Sequence, residues 1–422
     1  MKAEESLSRH LRSGCPSRSA AVDRFAAGPV TRVEIARGPV REYFVTFRPG
    51  VKLGGSMETA EDLYGRIAEF LAGAGAEIVQ ERCYADPAAY AEVAAARAGA
   101  FERRKIDGEG ALCFVGEAPC EGSAAIAGVQ LWAARGEDGK PRVTPLIADG
   151  RPVGRRFRGE SLCYAAFSCV GPRPELGPDR PRGEHALSMF SEAGRLLEGA
   201  GLGYRDVIRT WIYVPELLGW YDEFNAARRR VFSEVGLIGG AGASWLPAST
   251  GIQGRCPAGR ACTMGVLAAS RANGASARVE MVASPGQCEA FDYGSAFSRA
   301  VEVCDDRSSR MYVSGTASID AGGSSVHAGD AERQTAHTLD VIRELLAARG
   351  HTFADVAHLT AFIKGPEHLE GFRRAAAREG LDSRLAVETV ADVCRPELLV
   401  EIEAMSVRAA PSAADERRAA RR

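Results

Sequence analysis

The chain has 422 residues, of which 45% are hydrophobic and 26% charged, and its 53 Lys and Arg nearly balance 55 Asp and Glu for a formal net charge of −2. This is an ordinary globular composition, long enough for two to four cores, and it carries no basic footprint for a nucleic-acid partner. The stretch from Met1 to Asp23 is polar and rich in Ser and Arg without the apolar centre of a secretory signal, and no apolar run approaches the roughly 20 residues that cross a bilayer, so a cytoplasmic protein with no membrane partner is expected.

Along the chain, one pattern recurs three times. The copies are GRIAEFLAGAGAEIVQERCYADPAAYAEVAAAR from Gly65 to Arg97, GRLLEGAGLGYRDVIRTWIYVPELLGWYDEFNAARR from Gly194 to Arg229, and RELLAARGHTFADVAHLTAFIKGPEHLEGFRRAAAR from Arg343 to Arg378. Each starts with apolar residues at helical spacing, ends that helix at a glycine, enters a short apolar strand and resumes as a second helix. Gly75, Gly201 and Gly350 stand where a helix end calls for a left-handed residue. In the last copy a further strand follows, LLVEIEAM from Leu398 to Met405, with Val400, Ile402 and Ala404 on one face and Leu399, Glu401 and Glu403 on the other. The expected fold is therefore α+β, a sheet with two helices on one face in each module. Composition shifts near 134–141 and 270–277 place the modules at 29–134, 140–284 and 285–408, between a disordered segment 1–28 and a disordered tail 409–422.

Eleven cysteines run from Cys15 to Cys394 without a C-x-x-C pair, and the closest pairs, Cys163 with Cys169 and Cys256 with Cys262, match no common metal spacing. Reduced, mostly buried thiols are expected. None of the seven histidines sits in a zinc-binding pattern, and no phosphate-cradling glycine motif occurs, so neither a metal nor an organic cofactor is expected.

Seven segments occur in the order of a known family: RTWIYV at Arg209, YDEFNAARRR at Tyr221, PASTGIQG at Pro247, YGSAFSRA at Tyr293, VSGTASI at Val313, VHAGD at Val326 and ADVCRPELLVEIEAM at Ala391. Across residues 155–408 the chain resembles the chorismatases of the Rid superfamily, enzymes that remove pyruvate from chorismate. The resemblance implies three Rid-like, chorismate-mutase-like modules, each a mixed sheet with two helices on one face, arranged as a pseudo-trimer. It implies a monomer or weak homo-oligomer, and chorismate, a small dicarboxylate, as the partner. Two departures stand out: a module before residue 135 that extends the family's two, and QGRCPAGR after PASTGI, where the family has a Gly- and His-containing loop.

The resemblance also assigns roles. Glu401 matches the family's catalytic acid, which protonates the enol ether carbon; Glu403, on the same strand face, would help keep it protonated through like charge. Cys394, seven positions before Glu401, matches a cysteine of the hydroxybenzoate-forming branch and favours 3-hydroxybenzoate as product. Arg228 and Arg299 stand at matched positions for binding the substrate carboxylates, for which a guanidinium fork is well suited. Tyr293, Thr250 and Gly251 are further candidates for the pocket, the last two within a Ser249-Thr250-Gly251 turn. Gly315 and Thr316 are expected at a strand end by the cleft, and His327 and Asp330 to shape a loop. Arg384 resembles the carboxylate-binding arginine of Rid proteins and carries the alternative, a Rid-type enamine/imine deaminase; a non-catalytic small-molecule-binding protein of the same fold is the other.

Overall fold

A computed structural model describes residues 22–36, 38–50, 55–121, 125–239, 242–272 and 275–410. The first module comprises β1 (Val22–Ala27), β2 (Val30–Ile35), β3 (Val40–Phe47), α1 (Ser56–Ala74), β4 (Glu77–Ala85), α2 (Tyr90–Arg104), β5 (Leu112–Gly116) and β6 (Ile126–Gly136). The second runs β7 (Val143–Ala148), β8 (Arg151–Arg158), β9 (Leu162–Val170), α3 (Arg182–Gly199), β10 (Val207–Tyr213), α4 (Tyr221–Glu234), β11 (Ala248–Ile252) and β12 (Thr263–Arg271). The third repeats the series as β13 (Arg278–Val282), β14 (Ala300–Cys304), β15 (Ser308–Ala317), α5 (Ala331–Ala347), β16 (Val356–Ile363), α6 (Leu369–Arg378), β17 (Ala386–Val390) and β18 (Val400–Ala409).

Each module's main sheet has six strands in one order, first-second-third-sixth-fourth-fifth, and a two-stranded ribbon joins Ile238–Gly239 to Gly242–Ala243. Only the outermost pair of each, β4/β5, β10/β11 and β16/β17, is parallel. The expected α+β repeat is thus present in every module, and its punctuation is as the glycines imply. Gly75, Gly201 and Gly350 have φ of 60°, 76° and 70°, and after Gly75 the Ala76 N–H donates to the Leu71 carbonyl at 3.0 Å, closing the helix end.

The helices sit on one face of each sheet. In α1 the buried residues Leu63, Tyr64, Ile67, Phe70 and Leu71 form one stripe against Tyr43, Val45, Phe47 and Val129 of the sheet. Equivalent cores fill the second and third modules. The opposite sheet faces do not meet water. They share a fourth core, in which Phe44 and Trp132 of the first module, Tyr164 and Trp211 of the second, and Tyr312 and Phe362 of the third lie in one cluster. The two faces of β18 follow the alternation expected from sequence: Val400, Ile402 and Ala404 enter the core under the helices, and Met405 and Val407 enter the shared one.

The junctions between modules are cyclic. The parallel edge strand of each module packs on the next, β5 on β9, β11 on β15, and β17 on β6. A buried arginine crosses each junction to a carboxylate: Arg155 to Asp107 at 2.7 Å, Arg209 to Glu403 at 2.6 Å, and Arg310 to Glu42 at 2.7 Å. The second and third pairs are buried on both sides and so costly to break, because removing one partner strands the other's charge, whereas Asp107 is exposed.

Three expectations need correction. Strand β1 begins at Val22, inside the stretch expected to be disordered; β1 pairs with β2, and Arg24 donates to the carbonyls of Val356 and Val407 in the third module, so a tertiary contact orders it. Residues 278–282 join the third sheet through β14, so that module starts before residue 278 and not at 285. Ser249, Thr250 and Gly251 form no turn but part of β11, whose backbone is satisfied by parallel pairing with β10. The tail beyond residue 410 lies outside the described residues.

Candidate active site

A cavity of about 300 Å³ opens at the junction of the second and third modules. Helix α4 presents Tyr221, Asn225 and Arg228, spaced four and three apart and hence on one face, with Arg229 beside them. Strand β11 adds Ser249 and Gly251. The third module supplies Phe297 and Arg299 before β14, Gly315 from β15, Cys394 and Arg395 before β18, and Glu401 on β18.

Glu401 is 5% exposed. Burial first, and the like charge of Glu403 second, push its carboxyl up to about 8 against the pull of Arg209 and Arg299. A carboxylic acid that holds its proton at neutral pH can donate it, the property a general acid requires. Glu403 is fixed in place: it accepts from Arg209 at 2.6 Å, from the Thr250 hydroxyl at 2.6 Å and from the Thr360 hydroxyl at 3.1 Å. Arg82 stands 3.6 Å away and lays its guanidinium over Trp211, 4.2 Å from the ring centroid. Two side chains on one strand face therefore differ in surroundings: one is ion-paired to Arg209 and the other faces the cavity. Gly315 makes room for the second, since a Cβ there would stand 1.9 Å from a Glu401 carboxyl oxygen.

The cavity is cationic. Arg228 and Arg299, each 2% exposed, flank Phe297 at 5.6 and 5.7 Å from its ring centroid. Asn225 accepts from Arg228 at 2.6 Å, and the Cys288 carbonyl accepts from Arg299 at 2.9 Å, so both forks are held before any ligand arrives. Arg395 is braced by the Gly323 carbonyl at 2.9 Å and the Ser325 hydroxyl at 3.1 Å. Cys394 is half-buried; burial and the neighbouring Glu401 push its thiol up to about 12, so it is a neutral thiol. Burial also pushes the Tyr221 phenol up.

Of the residues singled out in the sequence, Glu401, Cys394, Arg228, Arg299 and Gly251 line this one cavity. Thr250 stands behind it as a hydrogen-bond support for Glu403. Tyr293 closes a short helical turn, Ala290–Tyr293, beside the cavity residue Gly294, and its side chain lies outside the described residues. Arg384 does not join them: it is exposed and bonds Asp382 at 2.7 Å. Asp330 caps α5 by accepting from the Arg333 N–H at 3.0 Å, the loop role expected for it. Sequence reading missed Asn225, Phe297, Arg395 and the Arg209–Glu403 pair. Asn225 carried a signal in its helical spacing from Tyr221; the partner of Arg209 lies 194 residues away and had none. Among the described residues no group of side chains is arranged to hold a metal ion, and no helix is long and apolar enough to cross a membrane.

Registers show how the other two junctions differ. Glu401 lies opposite Phe362 on the neighbouring strand; the matching positions are Thr263 opposite Tyr213 in the second module and Gly128 opposite Tyr84 in the first. The acid occurs at one junction of three.

The family described as Endoribonuclease L-PSP matches residues 289–408. A chorismatase of Streptomyces hygroscopicus is 32% identical over 228 residues, covering 48% of this chain and 62% of the relative, so the chain spans less than two thirds of that protein's length. A 3-hydroxybenzoate synthase of Streptomyces hygroscopicus is 26% identical over 266 residues, covering 56% of this chain and 72% of the relative. A crystal structure of a chorismatase superposes with a TM-score of 0.52 at 24% identity, covering 66% of this chain and 82% of the other, and shows a shared fold.

Proposed function

Since the chain is a chorismatase-related member of the Rid superfamily, we propose that it releases pyruvate from chorismate. The observation that carries this reading is Glu401, a buried acid held protonated at about 8 in a cavity lined by Arg228, Arg229, Arg299 and Arg395. Chorismate has two carboxylates and an enolpyruvyl ether. The guanidinium groups bind the former by charge-assisted forks, and Glu401 protonates the terminal methylene carbon of the latter. An oxygen nucleophile captures the resulting cation, the ether C–O bond breaks, and pyruvate departs.

The product is a hydroxybenzoate, the 3-isomer favoured. Loss of pyruvate to a hydroxybenzoate consumes no net water, whereas the dihydrodiol outcome adds one water molecule. Aromatisation must remove the ring proton at C3 and break the C4–O bond, the C4 oxygen leaving as water or within the pyruvate, and Glu401, a carboxylate once it has protonated the methylene, can take the ring proton. Cys394 assists as a neutral thiol at the same wall. No step calls on a metal or organic cofactor. Incubation of the protein with chorismate, with pyruvate and ring products read together, tests the reading: equimolar pyruvate and 3-hydroxybenzoate are expected, and chorismate left intact would overturn it.

A further inference from the structure

A second cavity, of about 620 Å³, lies wholly on the second module and within the size range of small-molecule sites. It is built by the connections β9 to α3 and β11 to β12. These are the counterparts of the connections β15 to α5 and β17 to β18, which wall the cavity around Glu401. The correspondence extends to single residues: Cys256 precedes Thr263 by seven positions, as Cys394 precedes Glu401. The wall has therefore been kept in the second module while the acid has been replaced by a threonine.

Its lining is cationic without an acid. Arg173, Arg180, Arg182, Arg255 and Arg260 line it, and no Asp or Glu does. The first three are ion-paired outside the cavity, to Glu192, Glu184 and Glu216. Arg255 and Arg260 have no carboxylate ion pair among the described residues; Arg260 donates to the Cys169 carbonyl at 2.8 Å and is otherwise turned outward. The cavity also meets the first turn of α3, an 18-residue helix whose N-cap, Pro181, supplies no side-chain acceptor. From that turn His185 lines the cavity; it is 8% exposed, and its Nδ1 is buried without a hydrogen-bond partner. Buried polar atoms are normally satisfied, so an unpartnered one on a cationic wall marks a place for an acceptor.

We propose that this cavity is a second, non-catalytic binding site for a small dianion, carried by two carboxylates or by a phosphate. No carboxylic acid lines the cavity, so the site binds without turnover. Arg255 and Arg260, with no carboxylate within ion-pair distance among the described residues, provide the charge, and His185 with the α3 N-terminus fixes orientation.

The test is calorimetric titration of the full chain with succinate and, separately, with inorganic phosphate. Repeats use Arg255→Gln, whose side chain is exposed and whose loss leaves the fold intact, and Arg255→Gln/Arg260→Gln. At least one probe is expected to bind the parent, and its affinity to fall about tenfold or more in the double variant. That same binding event is expected to persist in Arg228→Gln, which disables the other cavity. Loss with succinate alone identifies a dicarboxylate site, and loss with phosphate alone a phosphate site. Affinities for both probes unchanged in the double variant, or no binding of either probe to the parent, would overturn the proposal whether or not chorismate is a substrate.

Discussion

The junction of the second and third modules and the junction of the first and second are built on one backbone plan and differ in three positions that decide chemistry. Where the former has Glu401, Gly315 and Cys394, the latter has Thr263, Cys169 and Cys256, as the strand registers place the first two of each set and the seven-residue offset the cysteines. Glycine at 315 leaves space that the Glu401 carboxyl fills, while Cys169 occupies the matching place and accepts no acid there. The third junction closes the comparison: at Gly128 a Cβ would stand 2.9 Å from the Phe47 carbonyl oxygen and 3.1 Å from Val387, so the site is packed shut. A repeated fold can therefore confine acid chemistry to one of its equivalent places by changing few side chains, because the cost of burying a proton donor is borne at that place alone.

The comparison breaks most visibly at Glu401. Glu401→Gln is expected to bind chorismate nearly normally and to lose turnover by about 10² to 10⁴-fold, measured by pyruvate release, because a proton donated only in the transition state is removed. The pH dependence follows from the same group: turnover of the parent falls as pH rises through about 8. Stability moves the same way. The folded carboxyl releases its proton near 8 and the unfolded one near 4.5, so its contribution is full below the lower value and lost by the upper one. The Gln variant should accordingly melt higher than the parent above pH 8 and like it below pH 4.5, as thermal denaturation across pH would show.

Gly315→Ala tests the space. The added methyl displaces the carboxyl rather than the backbone, so turnover should fall about tenfold to a hundredfold with the circular dichroism spectrum unchanged. Turnover within a factor of two would mean that Glu401 does not work from the position Gly315 opens. At Cys394 the effect is on product more than on rate. Cys394→Ala should divert ring product from hydroxybenzoate toward dihydrodiol while pyruvate release continues, at a stability cost of about 1 kcal/mol for the small cavity. An unchanged chromatogram would leave the thiol as packing. The smallest effect is expected at Arg384→Ala, exposed and outside the cavity, with turnover unaltered and stability within about 0.5 kcal/mol of the parent. A large loss of chorismate turnover there would move the substrate site away from Glu401.

How much of this was readable beforehand depends on range. The alternation in LLVEIEAM placed Glu401 and Glu403 on one face, and the helical spacing in YDEFNAARRR placed Arg228 on the cavity side, because both are local periodicities that the backbone enforces. The same reading left the two glutamates equivalent in surroundings. Their difference arises from Arg209, Thr250 and Thr360, which reach Glu403 from three other strands. Ser249-Thr250-Gly251 read as a turn because small polar residues favour turns locally, and parallel pairing with β10 overrode that preference.

By itself the amino-acid sequence determined the threefold repeat, the helix ends at Gly75, Gly201 and Gly350, the in-and-out faces of β18 and the class of residue available for acid chemistry, since each depends on neighbours a few positions away. Tertiary structure alone decided which junction holds the acid, that Glu401 is pushed toward keeping its proton while Glu403 is held by Arg209, Thr250 and Thr360, and that the second module's cavity is lined by arginines without a carboxylate. Charge state and cavity shape are sums over groups brought together from distant parts of the chain, and desolvation, which sets their magnitude, exists only once the modules have closed around the shared core.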